Sequence, residues 1–168
     1  LQVVGAEANV GLRIESQLCE DLPRAQIGAD QVRQVLLNLV RNACEASQDD
    51  GTVNVSTRVV WRGKDQWVQL RVHDEGQGMS RAMLQKIFLP FFTTKGQGTG
   101  LGLAICQRIV RTAGGRIDAR SREGEGTTFT VTLPVATDPL GTPAPSTARS
   151  PSQLPAVRAG VNSPENEE

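Results

Sequence analysis

The sequence predicts an α+β fold: a two-layer sandwich with one mixed, mostly antiparallel sheet and helices packed on one of its faces. Two observations predict it. Stretches of alternating apolar and polar residues, the mark of half-buried strands, are interleaved with two long stretches whose apolar residues recur at helical spacing. The resulting order is strands, helix, strands, helix, strands, and the later strands fall into two pairs joined by short glycine-containing turns.

Taken in order, residues 10–16 alternate and read as a strand, with residues 26–29 a possible short partner. Asp30 suits an N-cap, because its carboxylate can accept from an amide that the helix leaves unpaired. In residues 31–47 the apolar positions are 32, 35, 36, 39, 40 and 43, one stripe of a helix. Asp49-Asp50-Gly51 breaks the chain. Residues 52–61 and 66–73 form a hairpin around Arg62-Gly63-Lys64-Asp65, and residues 74–78 make a glycine turn. Residues 80–86 are a short helix capped by Ser80. A longer helix spans residues 101–113 and ends at Gly114-Gly115. Residues 116–121 and 127–133 form a second hairpin around Glu123-Gly124-Glu125-Gly126. Beyond Pro134, six of the nine prolines lie among Ala, Ser and Thr and no apolar period survives. Residues 1–134 therefore read as one domain and residues 135–168 as a disordered tail.

Composition narrows the function classes. A net charge of +0 argues against a non-specific nucleic-acid surface, which needs a basic excess. No apolar run approaches ~18 residues, so no segment here is expected to span a membrane. The chain starts at Leu1 with neither a methionine nor a leader pattern, and reads as a segment of a longer protein. Cys19, Cys44 and Cys106 are scattered, His73 is the sole histidine and no C-x-x-C occurs. The expectation is buried, reduced thiols in a cytoplasmic protein rather than a zinc site.

The stretch Thr93-Thr94-Lys95-Gly96-Gln97-Gly98-Thr99-Gly100-Leu101-Gly102-Leu103 carries most of the functional signal. Its alternating glycines let the backbone approach a ligand closely, and the helix that follows offers unpaired N–H groups and a partial positive charge. That combination suits phosphate. By itself it equally fits a flexible loop that caps a helix. Neither the Walker string G-x-x-x-x-G-K-[ST] nor G-x-G-x-x-G occurs. The preceding Ile87-Phe88-Leu89-Pro90-Phe91-Phe92 contains a proline and reads as an apolar anchor, so the loop is expected to be a hinged lid over a nucleotide.

Three further segments add to it. Asn38, Asn42 and Glu45 share one helical face, expected opposite the apolar stripe. Asparagine is unfavourable inside helices, so the face is either solvated or meets a ligand or hard metal ion through amide oxygens. Asp74-Glu75-Gly76-Gln77-Gly78-Met79 leaves a buried strand. Its carboxylate can accept from the amino group at the six position of adenine, whereas the guanine carbonyl there would repel it; an ordinary Asx-type turn is the alternative. Gly124-Glu125-Gly126-Thr127-Thr128-Phe129 opens the last strand, where Thr127 could present a hydroxyl to the same base or simply belong to a hairpin turn.

In this order the segments resemble the ATP-binding domain of bacterial two-component sensor histidine kinases. Q-V-L-L-N-L-V-R-N-A resembles their N box, D-E-G-Q-G-M the first glycine box and F-L-P-F-F-T-T-K the F box. G-T-G-L-G-L-A-I resembles the second glycine box, and G-E-G-T-T-F-T-V-T-L-P the last. The match runs from about Val10 to Pro134, and the R-N-A form of the N box is most like the nitrogen-regulation, oxygen-sensing and dicarboxylate-sensing branch. The implied fold is the Bergerat sandwich shared with gyrase, MutL-type proteins and heat-shock chaperones.

The resemblance implies roles by position. Asn42 would hold Mg²⁺ on the phosphates. Asp74 would take the adenine amino group, aided by Thr127 and a water, with Gly76 and Gly78 letting the backbone pass close to the base. Phe91 and Phe92 would seat the lid root. Lys95, Thr99 and the amides of Gly98, Gly100, Leu101 and Gly102 would hold the phosphates, with Arg41 an extra cation or a solvent-facing side chain. Hydrolytic relatives carry a water-activating glutamate four residues before the metal asparagine; this chain carries Asn38, which cannot act as a base near neutral pH. That points to transfer onto an imidazole, with Asn38, Asn42 and Lys95 as the catalytic set. The family's acceptor histidine lies on a separate dimerising hairpin. This chain is therefore expected to bind ATP without phosphorylating itself, in a homodimeric protein that passes the phosphoryl group to a response-regulator receiver domain. The alternatives are a nucleotide-gated interaction module without catalysis and an anti-sigma-type serine kinase.

Overall fold

A computed structural model describes residues 12–47, 50–95 and 98–137. The strands are β1 (Arg13–Gln17), β2 (Thr52–Arg62), β3 (Asp65–Asp74), β4 (Arg116–Arg122) and β5 (Gly126–Pro134). The helices are α1 (Ala29–Ala46), α2 (Arg81–Leu84) and α3 (Gly102–Thr112). One five-stranded sheet has the order β1-β2-β3-β5-β4. Only β1 and β2 run parallel, with α1 as their crossover; every other pair is antiparallel. The expected two-layer sandwich and its mixed, mostly antiparallel sheet are what the chain forms.

Alternation assigns the faces. Val53 and Val55 of β2, Val68 and Val72 of β3, and Phe129, Val131 and Leu133 of β5 point one way and are buried. All of these but Val68 meet Val35, Leu39, Val40 and Ala43 of α1 and Cys106, Ile109 and Val110 of α3 in one core. Gln69, Arg71 and His73, the alternate residues of β3, point to the other face, and none of them is buried. Both helices thus lie on a single face, as the sequence implied.

Several boundaries moved. Residues 26–29 do not pair with the first strand. Ala25 instead bridges Val135, and Gln26 N–H donates to Pro134 O at 2.8 Å. The first strand takes β2 as its partner because the α1 crossover returns the chain in the same direction. Val10 and Gly11 lie outside the described residues. Gly28, not Asp30, is the N-cap: the Gln31 side chain reaches back to accept from Gly28 N–H at 3.2 Å, so α1 begins earlier than expected. Asp30 falls in the first turn, favourable to the helix dipole, and pairs with Arg33. Ser80 does cap α2, accepting from Met83 N–H at 3.2 Å. Past Pro134, Val135 is buried and Ala136 N–H donates to Arg24 O at 2.7 Å, so ordered pairing runs beyond the expected domain end. The tail from 138 onward, Asp49 of the expected break, and Gly96 and Gln97 of the glycine loop lie outside the described residues.

Of the three free cysteines, only Cys106 is buried; Cys19 and Cys44 are half-exposed, which corrects the expectation of three core thiols. Cys44 lies on α1 at the edge of the buried stripe, and Cys19 follows the edge strand. No helix among the described residues is long and apolar enough to cross a membrane.

Leu39 is fully buried where α1 meets the sheet and α3. Leu39→Ala is expected to cost about 2–5 kcal/mol, seen as a lower urea midpoint at unchanged slope. A loss below about 1 kcal/mol would show that α1 is not the centre of this core.

Candidate functional site

The site lies on the helical side of the sheet, and its base begins with one row of paired residues. The strand register places Val53, Asp74, Thr127 and Ser121 side by side. Asp74 ends the central strand β3 and is 1% exposed. One carboxylate oxygen accepts from Gly76 N–H at 3.0 Å. Burial raises its pKa above the ordinary 3.8, although the Gly76 amide, the neighbouring His73 and Thr127 and the more distant Lys95 favour the charged form. Ser121 lies within 3.0 Å of the Thr127 hydroxyl, donates to Gly126 O at 2.7 Å and accepts from Met79 N–H at 2.8 Å. Ser121 therefore orients Thr127. The clue in the sequence was its place at the end of β4, in register with the core positions Ile117 and Ala119.

The glycine turn after Asp74 is fixed by protein, not by room for a ligand. Gln77 N–H donates to Ala46 O at 3.1 Å, and Gly124 N–H donates to Gln77 O at 2.8 Å. A Cβ on Gly76 would lie 2.2 Å from Ala46 O, and one on Gly78 would lie 1.8 Å from Arg122 O. These glycines are required because the C-terminus of α1 and the β4–β5 hairpin both press on the turn. Gly78 borders the cleft but Gly76 does not.

The cleft has a volume of about 290 Å³ and two unlike ends. At one end Asp74 and Thr127 are surrounded by Met79, Met83, Ile87 and Phe129. At the other lie Asn38, Arg41, Asn42 and Glu45 of α1, facing Lys95, Gly98, Thr99, Gly100 and Gly102. The polar face of α1 adjoins the apolar stripe instead of opposing it, and this lets it line a cleft against the core. The Asn38 amide nitrogen reaches Gly102 O at 3.5 Å and Cys106 Sγ at 3.6 Å, long contacts that hold α1 to the first turn of α3. Leu101 is the N-cap of α3 without a side-chain bond and stays off the cleft wall, leaving the first amides of the helix unpaired by any cap.

A lid closes over the second end. Its neck is a backbone contact: Phe91 N–H donates to Gly100 O at 3.0 Å, and a Cβ on Gly100 would lie 2.5 Å from the Phe91 carbonyl carbon. Phe91 has φ +65°, the only positive value for a non-glycine among the described residues, a strain of order 1–3 kcal/mol. Its ring is 76% exposed, so Phe91 seats the lid through its backbone, while Phe92 alone packs on the core and the cleft. Lys95 of the lid pairs with Glu45, whose other oxygen accepts from Arg41 Nε at 2.7 Å. Burial pushes the Glu45 carboxyl up, but the two cations outweigh it and hold the pKa below the ordinary 4.5. Exposed pairs of this kind contribute roughly 0.2–1 kcal/mol, so they tie the lid down only lightly. Glu45 was legible as part of a polar face, but its bond to Lys95 spans fifty residues and had no local signal.

His73 lies on the far face of the sheet, where Nδ1 is within 3.2 Å of Thr127 O and 3.0 Å of Thr128 Oγ1. The sheet itself separates it from the cleft. No group of three His, Cys, Asp or Glu side chains that could cage a metal exists among the described residues.

An enclosed acid–hydroxyl pair amid apolar walls, joined to a cationic, amide-rich end under a glycine lid, defines a nucleotide-binding domain of the Bergerat type. The chain belongs to the histidine kinase-, DNA gyrase B- and HSP90-like ATPase family, whose pattern matches residues 28–137. Among its relatives it is 42% identical over 138 residues to the sensor histidine kinase ZraS of Escherichia coli (strain K12), covering 80% of this chain and 28% of that protein. It is 36% identical over 138 residues to sporulation kinase D of Bacillus subtilis (strain 168), covering 81% of this chain and 26% of that one. The solved catalytic domain of histidine kinase ThkA superposes with a TM-score of 0.63 at 36% identity, covering 76% of this chain and 80% of that structure. This chain thus spans under a third of the length of the curated relatives it matches.

The raised pKa of Asp74 makes a signed prediction. A group that binds its proton more tightly when folded lends most stability below 3.8 and loses it as pH rises through its folded value. Asp74→Asn keeps an oxygen for the Gly76 amide and removes the buried charge. The ligand-free variant is expected to melt higher than the parent at pH 7, the gap closing as pH falls towards 4. A gap of opposite sign, or one independent of pH, would contradict this.

Proposed function

We propose that this chain is the ATP-binding catalytic domain of a sensor protein-histidine kinase. The domain runs from β1 to about Thr137. It works in the cytoplasm of a homodimeric protein, and transfers the γ-phosphoryl group of ATP to a histidine on a separate dimerisation domain. A response-regulator aspartate then receives it. The observation that carries this reading is the polarity of the cleft, apolar with a buried acceptor at one end and cationic at the other. Adenine fits the first end, with its amino group donating to Asp74 beside Thr127. The triphosphate fits the second, between Lys95 and Arg41 and against the amides of Gly98, Gly100 and Gly102 and the uncapped start of α3. The relative histidine kinase ShkA has been solved full-length with AMPPNP, at 30% identity over 76% of this chain and 26% of that one, with a TM-score of 0.66, which supports a nucleotide in the cleft.

The donor set also suits Mg²⁺. Asn42 offers a hard amide oxygen in the phosphate half, and a site without a carboxylate cage matches an ion that keeps waters and phosphate oxygens as ligands. When bound, the ion neutralises charge on the phosphate oxygens. Asn42 would hold it, Asn38 would keep α3 against α1, and Lys95 would close the lid over the γ-phosphoryl group. Among the described residues no side chain beside the phosphates is an unpaired base: Asn38 and Asn42 are amides, and Glu45 is bonded to Arg41. Water is then poorly activated, whereas a neutral imidazole brings its own lone pair. Positioning and charge neutralisation supply the rate.

Mixed with the helical hairpin of its full-length protein, radiolabelled ATP and Mg²⁺, the chain is expected to place acid-labile phosphate on the hairpin. It should place none on itself, and His73→Ala should change nothing. Label at His73, acid-stable phosphoserine on a partner, or ATP binding with no acid-labile product would each contradict the reading. Asp74→Ala should weaken ATP binding by ~1.5–3 kcal/mol, about 10- to 150-fold in Kd by titration. An unchanged Kd would remove Asp74 from adenine recognition.

A further inference from the structure

The phosphate half of the cleft contains a carboxylate where an anionic ligand is expected. Glu45 lines it and uses one oxygen on Arg41 and the other on Lys95, the two cations of that half. The remaining side chains of that half, Asn38, Asn42, Thr93, Thr94 and Thr99, are neutral. The other acid of the cleft, Asp74, belongs to the base end. Among the described residues, two cations and one carboxylate leave a single net positive charge to receive a polyphosphate.

We propose that Glu45 makes nucleotide binding depend on the divalent metal, by cancelling one of the two cations so that the triphosphate is accepted as its metal complex and not as the free polyanion. This rests on the ATP reading above and gives a role to a residue that reading leaves unused. Free ATP meets repulsion from Glu45 and must compete with it for both cations. The metal complex carries less charge, so it tolerates the carboxylate and needs Lys95 alone to leave it. Glu45 discriminates between two forms of one ligand, a difference that requires a repulsive element as well as attractive ones. Because the pair bridges α1 and the lid, the same exchange would release Lys95 from the helix and hand it to the phosphates.

The test is the affinity of a fluorescent ATP analogue for the 168-residue chain, by polarisation, with Mg²⁺ and with a chelator. Glu45→Gln is compared with the parent, and thermal melting verifies that the variant folds. Glu45→Ala, which also removes the charge, should behave alike. The parent should lose affinity by more than about tenfold on chelation, and Glu45→Gln should bind the metal-free analogue about tenfold more tightly than the parent does. Equal metal dependence in parent and variant would overturn the proposal. So would a variant that loses affinity with Mg²⁺ and gains none without it, since Glu45 would then be a ligand of the ion. A parent that binds no analogue even with Mg²⁺ would overturn the nucleotide site itself, a failure distinct from the other two.

Discussion

The structure depends on a packing constraint among three elements at the end of β3. The turn through Gly76, Gln77 and Gly78 receives the last carbonyl of α1 on one side and the β4–β5 hairpin on the other, and neither glycine has room for a Cβ. This contact sets where α1 ends relative to the sheet. It thereby sets the distance between Asp74, on the sheet, and Asn42 and Glu45, on the last turns of the helix. The cleft is the space that this docking leaves, and its two chemical ends come from two different layers. A sandwich with helices on one face only leaves that gap accessible, while the sheet screens it from His73.

The two ends are built to different standards of rigidity. At the base end Ser121 is bonded to Thr127 across adjacent strands, Asp74 is bonded to the Gly76 amide of the turn that follows it, and the acid is almost wholly buried. Such a site discriminates by hydrogen-bond pattern, because a mismatched partner leaves a buried group unpaired. At the phosphate end the ties are exposed ion pairs and a lid whose neck is one backbone contact with a strained Phe91. Weak ties suit a cover that must open for each nucleotide.

Much of this was legible in the sequence, for reasons particular residues make plain. The α1 stripe, both hairpins and the central place of Asp74 follow from periodicity and turn chemistry, which are local. Asn38, Asn42, Asp74, Lys95, Gly98, Thr99, Gly100, Gly102 and Thr127 were each singled out, and the chain brings all of them to one cleft. What local pattern did not reveal depends on distant contacts. The Ala25–Val135 bridge joins the two ends of the domain. The Glu45–Lys95 pair joins a helix to a loop, and the Ser121–Thr127 bond becomes visible only with strand register. Gly76 and Gly78 were read as glycines that bring the backbone close to a base, and the group that the structure places against them is the protein's own backbone. Gly28 displaced Asp30 as N-cap because Gln31 could reach back to its amide, a competition that cap preferences alone do not resolve.

The central claim is that a buried carboxylate reads adenine at one end of a cleft that holds phosphates at the other. Its most direct test is a two-dimensional amide NMR titration of the chain with ATP and, separately, GTP, both with Mg²⁺. The account predicts that ATP shifts the amides of Asp74, Gly76 and Thr127 together with those of Asn42 and Gly102, and that GTP at the same concentrations leaves the first three in place. Equal shifts with GTP at Asp74, or shifts gathered around His73 and Thr128 on the far face of the sheet, would contradict it.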